Sequence, residues 1–395
     1  MGIRALATGL LLATVAERAR AATPPTPSAA EMIALGRRIF ADPALSDPPG
    51  TSCASCHDPS RAYSSLNGSR NGLPRGSRPG HFARRTAPSL LYLRYVPSFR
   101  FRAEGGQEGD DPGAQPFGGL FWDGRVDTVR DLGRQPLLNP DEMNNRDGRR
   151  VAEAIRRGPY APAFAAVFGS ALDDPEPTLA AVGKALEAFL TADDMAPFSS
   201  RYDDFVRGRA PLAPLEAEGL RLYKDPAKGG CAGCHLLAEA VRDPVASMFT
   251  DYGYEAVAIP RNQRAPRRPT PDLGLCERTD RATPSDDPSR CLYFRTPSLR
   301  NVAVRGSYMH NGAFRTLREV VAFYATRATD PRRWYHSGIP FDSVPAKYRG
   351  RVNVTSPPYD RKPGQAPALD DHEIDAIVAF LRTLTDAPYR SAAAR

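Results

Sequence analysis

Two pentapeptides carry the chemistry most plainly written in this chain, Cys53-Ala54-Ser55-Cys56-His57 and Cys231-Ala232-Gly233-Cys234-His235. Two thiols at this spacing can form thioethers with the vinyl groups of a haem, and the adjoining histidine is then carried beneath the iron as its proximal ligand. A redox Cys-x-x-Cys, or half of a zinc site with a chance histidine, would have to occur twice in one chain. Two covalently held c-type haems are therefore the expectation, on Cys53, Cys56 and His57 and on Cys231, Cys234 and His235.

The start of the chain agrees with that chemistry. Arg4, an apolar stretch over residues 5–16 and the small-x-small end Ala19-Arg20-Ala21 read as a secretory signal cleaved after Ala21, so export to the periplasm is expected. The apolar run is short for a membrane span, and no later stretch approaches the roughly 20 apolar residues that one needs. The formal charge is +8, with arginines scattered over residues 70–85, 264–268 and 332–333 and without interleaved aromatics. That pattern argues against a nucleic-acid surface and fits a solvated face, one able to meet an acidic protein partner. Cys276 and Cys291 remain, with no following histidine. In an exported chain two spare thiols are expected to pair, and a disulfide over a loop of this length adds about 3 kcal/mol.

The elements that must position these groups repeat. Met32, Leu35, Ile39 and Phe40 recur at helical spacing over residues 29–40, and Asp42-Pro43 ends the helix just ahead of the first motif. Leu215, Leu220, Leu222 and Tyr223 lie in a second helical run that stops at Asp225-Pro226, just before Gly229-Gly230 and the second motif. Helix, break and haem motif is thus an internal repeat. Ile374, Ile377, Val378, Leu381 and Leu384 supply the stripe of a long helix closing the second core. Residues 179–194, with Val182, Leu186, Phe189 and Leu190, are expected to close the first. Pro211 and Pro214 place the boundary near residue 212. With 39 Pro, 32 Gly and little strand alternation, the expected fold is mainly α. Two cytochrome-c-like modules with long loops, residues 22–212 and 213–395, follow the signal at 1–21.

Three further segments make most of the chain resemble the bacterial dihaem cytochrome c peroxidase and MauG family. They are Phe121-Trp122-Asp123-Gly124-Arg125 with Pro136, Asn139, Pro140, Glu142 and Met143; Phe249-Thr250-Asp251; and Arg295-Thr296-Pro297-Ser298-Leu299-Arg300-Asn301 leading to Tyr308-Met309-His310-Asn311-Gly312. The resemblance implies that peroxide binds at the first haem, with Glu142 and Pro136 on its distal face. Splitting a peroxide O–O bond moves a proton from the inner to the outer oxygen, and a partly buried carboxylate can take and return it. Read without the resemblance, Glu142 is a surface acid in a polar loop beside Asp141 and Asn144. Trp122, plainly read, is a core aromatic; the resemblance sets it between the haems as an electron relay. Trp334, beside Arg332, Arg333 and Tyr335, reads as a packing or surface residue.

For the sixth ligand of the second haem, the peroxidase branch has a methionine fourteen residues after His310, where this chain has Tyr324. The resemblance to the tyrosine-ligated MauG branch makes Tyr324 the expected ligand; Met309, a thioether, is the rival. A phenolate favours higher oxidation states of iron and a thioether the ferrous state. His81 stands as an alternative distal ligand of the first haem, against a loop histidine over an open iron. The resemblance also implies a calcium ion between the modules, but with departures: the usual Asn is Thr86, Arg305 and Ser307 stand where main-chain ligands come from, Leu132 replaces a Gln, and Gly229 replaces the tryptophan ahead of the second motif. The expected function is a periplasmic MauG-like dihaem peroxidase that uses hydrogen peroxide to oxidise a protein or small molecule. A cytochrome c peroxidase drawing electrons from a small cytochrome or copper protein is the alternative. A non-enzymatic dihaem electron carrier is the third reading, and an open first haem beneath Glu142 would argue against it.

Overall fold

Ser28 starts the first helix by a reciprocal cap: its hydroxyl accepts from the Glu31 amide, while the Glu31 carboxylate accepts from the Ser28 amide at 2.8 Å. A computed structural model describes residues 27–64, 67–103, 114–238, 242–278 and 288–393, so the expected signal at 1–21 lies outside the described residues. The first part of the chain holds α1 (Ala29–Ala41), α2 (Cys53–Cys56), α3 (Val129–Leu138), α4 (Gly148–Arg157), α5 (Ala161–Phe168) and α6 (Pro175–Leu190). The second holds α7 (Arg201–Val206), α8 (Pro214–Lys224), α9 (Leu317–Thr326), α10 (Asp371–Arg382) and α11 (Arg390–Ala393). Strand is confined to two short antiparallel ribbons among the described residues: β1 (Arg100–Arg102) with β2 (Gln115–Phe117), and β3 (Tyr254–Glu255) with β4 (Phe294–Arg295). The fold is mainly α. No described helix is long and apolar enough to cross a membrane.

Two apolar cores form, each around a crossing of the helix before a haem motif with the helix that closes the unit. In the first, α1 lies on α6; in the second, α8 lies on α10. A glycine sits at each crossing. A Cβ on Gly36 would run into the Ala185 carbonyl and the Phe189 Cβ, and one on Gly219 into the Ala376 carbonyl and the Phe380 Cβ. The two crossings therefore repeat residue for residue: Gly36, Ala185 and Phe189 in one, Gly219, Ala376 and Phe380 in the other. Around them pack Leu35, Ile39, Phe40, Val182 and Leu186 on one side and Leu222, Tyr223, Ile377 and Leu381 on the other.

The helix expected over 179–194 begins instead at Pro175. Asp174 caps it by accepting from the Glu176 amide, and proline at the first helical position needs no donor there. It ends at Leu190, and a separate 3-10 turn follows at Asp193–Met195.

A buried polar knot fastens the two cores. The Arg300 guanidinium pairs with Asp203 at 3.0 Å with both side chains almost fully buried. It also donates to the carbonyls of Ser247 and Pro244 and lies 4.6 Å over the Phe198 ring. Asp386, wholly buried, accepts from the Tyr92 hydroxyl, the Ser199 amide and the Asn301 amide group. Every buried charge here has a partner, which is the condition for burying it at tolerable cost. Cys276 and Cys291 form a disulfide.

Candidate active site

The two haem motifs are held by matching devices. His57 donates its Nδ1 hydrogen to the Tyr63 carbonyl at 2.9 Å, and His235 donates its own to the Phe249 carbonyl at 3.0 Å. With Nδ1 so engaged, Nε2 carries the free lone pair, which is the tautomer an iron ligand requires. The residue before each accepting carbonyl is braced too: Ser89 donates to the Ala62 carbonyl at 2.6 Å and Ser298 to the Met248 carbonyl at 2.7 Å. The bracing serines belong to a second internal repeat, Arg85-Thr86-Ala87-Pro88-Ser89-Leu90 and Arg295-Thr296-Pro297-Ser298-Leu299, which was legible in the sequence and not read there. Burial pushes the His57 imidazole down to about 4 and lowers His235 as well, so both rings stay neutral and able to bind metal.

Each motif opens on its own cavity. One, of about 910 Å³, is lined by Cys53, Cys56 and His57; the other, of about 420 Å³, by Cys231, Cys234 and His235. Both thiols and the histidine of each motif thus face one apolar chamber of the size that holds a cofactor. The donor set of each is that of a c-type haem.

Leu132, Pro136, Asn139, Glu142 and Arg125 line the same cavity. Pro136 lies in the last turn of α3, and its carbonyl accepts from the Met143 amide at 3.1 Å, which folds the following loop back over the chamber. Glu142 is carried on that loop. Its Oε1 accepts from the Asn139 amide group at 2.9 Å. Burial raises its pKa above the usual carboxylate value, opposed by the Arg125 charge and the Asn139 hydrogen bond. The structure therefore brings Glu142, Pro136 and His57 to one chamber. His81 is elsewhere: its side chain is 38% exposed, its Nδ1 is 2.9 Å from Asp141, and it does not line the cavity.

Trp122 lines both cavities. Its indole N–H donates to the Thr86 carbonyl at 2.9 Å, and its ring meets His310 edge-on at 6.5 Å. His310 is stacked at 3.7 Å on Phe294, with its imidazole pushed by burial to about 4. Tyr324 and Met309 both line the second cavity. Tyr324 projects from α9, and burial raises its phenol well above the ordinary value. Tyr359 lies against it, ring centroids 5.8 Å apart. The Arg327 guanidinium sits 3.8 Å from the Tyr359 ring. Neither Tyr359 nor Arg327 was singled out from sequence; Tyr359 follows Pro357-Pro358 in an irregular loop with no periodicity to mark it. Trp334 packs on Phe314 and Phe323 in the second core.

Two cavities, each walled by a paired-thiol haem motif and with Trp122 in the lining of both, define a two-haem c-type cytochrome, with a buried carboxyl, Glu142, at one site. A family model described as di-haem cytochrome c peroxidase matches residues 30–211. The methylamine utilization protein MauG of Paracoccus denitrificans (strain Pd 1222) is 36% identical over 95% of this chain and 92% of its own length. A cytochrome-c peroxidase of Denitromonas iodatirespirans is 28% identical over 75% of this chain and 73% of its own. The crystal structure of the diheme peroxidase BthA from Burkholderia thailandensis E264 superposes with a TM-score of 0.85 at 49% identity, covering 94% of this chain and 89% of that one. A tyrosine-to-methionine variant of BthA superposes with a TM-score of 0.84. This chain belongs to the dihaem cytochrome c peroxidase and MauG family. It is a haem peroxidase enzyme with two c-type haems, and hydrogen peroxide is its oxidant.

Proposed function

We propose that the protein is a MauG-like peroxidase of the periplasm, in which peroxide reacts over His57 and the oxidising power passes to a second, tyrosine-ligated site that serves a bound protein or small-molecule substrate. The observation that carries the reading is the pairing of Glu142 over the first cavity with Tyr324 in the second, joined by Trp122. When bound, haem supplies the iron that meets peroxide at the first site and holds or passes electrons at both.

The chain's own groups do the rest. The Cys53, Cys56, Cys231 and Cys234 thiols form the covalent links, and His57 and His235 present Nε2 because their Nδ1 hydrogens are held by carbonyls. Glu142, fixed by Asn139, takes the proton from the inner peroxide oxygen and returns it to the outer one as the O–O bond breaks. Pro136 and Leu132 keep that face apolar and limit water. Trp122, oriented by Thr86, is the relay. Tyr359 packs beside Tyr324, and it is binding to the iron that would hold the phenol as phenolate against the burial that raises its pKa. A hard anionic ligand stabilises the oxidised state and makes the second site a poor acceptor from a small cytochrome.

Export rests on the N-terminal sequence and is supported by the disulfide, a bond of oxidising compartments. The division near residue 212 is supported by the two cores, since the first draws mainly on residues 35–198, joined by Met248, Val304 and Tyr389, and the second on residues 202–384.

The cytochrome c peroxidase reading keeps one observation in its favour, that Met309 shares the cavity with Tyr324. Variants decide between them. Tyr324→Phe is expected to convert a low-spin ferric second haem to a five-coordinate or water-bound one, and Tyr324→Met to raise its potential. An unchanged spectrum in Tyr324→Phe, with loss of the low-spin signal in Met309→Ala, would overturn the assignment.

A further inference from the structure

The Arg305 guanidinium lines the second chamber and reaches the loop of Thr86 and Ala87, which lines the first. Nη2 donates to Thr86 Oγ1 and to the Ala87 carbonyl, each at 3.3 Å, and Nε donates to the Ser307 carbonyl at 3.3 Å. The guanidinium carbon stands 5.9 Å from the Trp122 ring. Thr86 completes the junction: its carbonyl accepts from the indole, its amide donates to the His310 carbonyl at 2.8 Å, and its hydroxyl donates to the Met309 carbonyl at 2.8 Å. One cation thus ties together the loop of the first motif, the indole between the sites and the loop at residues 305–310.

We infer that Arg305 is the resident cation of this junction, standing where the resemblance puts a calcium ion, so that calcium has no place there. A calcium ion takes six to eight oxygens at about 2.3–2.6 Å, from carboxylates, carbonyls and water. Here Thr86 Oγ1 and the Ser307 carbonyl already accept from the guanidinium, and none of its hydrogen-bond partners is a carboxylate. Among the described residues no group of three acidic, histidine or cysteine side chains could hold a metal. A divalent ion would share these oxygens with a buried positive charge and have no anion to offset it. A guanidinium carries its charge at any physiological pH. The fixed fork of the guanidinium, with donors pointing in three directions, suits the joining of carbonyls and a hydroxyl from separate loops.

Two consequences follow. The junction needs no metal to be supplied and is indifferent to chelators. A fixed positive charge near both sites also favours the reduced, less positive iron at each, so it raises both potentials. Arg305 is in this sense a positioning residue, acting through Thr86 on Trp122 and through its field on the haems.

The test uses the dihaem holoprotein. Elemental analysis after dialysis against calcium-containing buffer is expected to find no bound calcium. Both haem spectra and both midpoint potentials are expected to be the same in EDTA as in excess calcium. One calcium per chain, or a spectral change on chelation, would overturn the inference. Arg305→Gln, which removes the charge, is expected to lower both potentials, and Arg305→Lys, which keeps it, to restore most of that shift. Potentials unmoved in Arg305→Gln would refute the electrostatic role. Should that variant fail to load haem, the wild-type calcium and chelator measurements and the Arg305→Lys potentials still decide.

Discussion

Replacing Glu142 by glutamine isolates proton transfer from everything else the side chain does. The amide keeps the volume of the carboxyl, and its carbonyl oxygen can still accept the 2.9 Å bond from Asn139, so the loop over the first cavity should stay in place. What is lost is the ability to take and return a proton, an effect of about 10² to 10⁴ in rate. The lower figure corresponds to about 2.7 kcal/mol in the barrier. Stopped-flow mixing of the holoprotein with peroxide should therefore show full haem loading and an unaltered resting spectrum, with a second-order rate at least about tenfold below wild type. The pH dependence provides a second check. Burial raises the Glu142 pKa, and the base form exists only above it. The wild-type rate should thus fall as pH drops through a value above that of an ordinary glutamate, and this limb should vanish in Glu142→Gln. A variant with wild-type rate and the same acid limb would return Glu142 to a purely structural part.

At the helix crossing of the second core, Gly219→Ala forces a methyl group against the Ala376 carbonyl, a backbone atom that cannot turn aside. A loss of about 1–3 kcal/mol in denaturant unfolding of the holoprotein is expected, whereas Gly350, whose added Cβ meets nothing within 4 Å, should tolerate alanine with little change. Removing the disulfide with Cys276→Ser and Cys291→Ser together should cost about 3 kcal/mol without altering either haem spectrum; loss of a haem would show that the bond does more than brace its loop.

What could be read from the sequence was what is encoded locally. Haem attachment sits within five consecutive residues, so His57 and His235 were legible without any fold. The stripes of α1, α8 and α10 were legible because each buries one face, chiefly against one partner helix. Asp174-Pro175, a start signal in its own right, was passed over for the apolar run behind it, which put the start of α6 four residues late. Helix α3 escaped because its purpose is to lead into the loop of Glu142, with Pro136 in its last turn and a largely polar surface. Glu142 itself was legible only through resemblance, since a polar loop gives no sign that tertiary packing will close over it. Tyr359, Arg327 and the Arg305 junction depend on contacts between segments far apart in the chain, and no periodicity encodes those.

We propose that the second site, with Tyr324 and Tyr359, holds the protein ready for peroxide while both irons are ferric. Adding one equivalent of hydrogen peroxide to the fully oxidised holoprotein, with no reductant present, tests this directly by absorbance. An immediate change at both haems is expected, abolished at the second in Tyr324→Met. A resting protein that ignores peroxide until one haem has been reduced would contradict it.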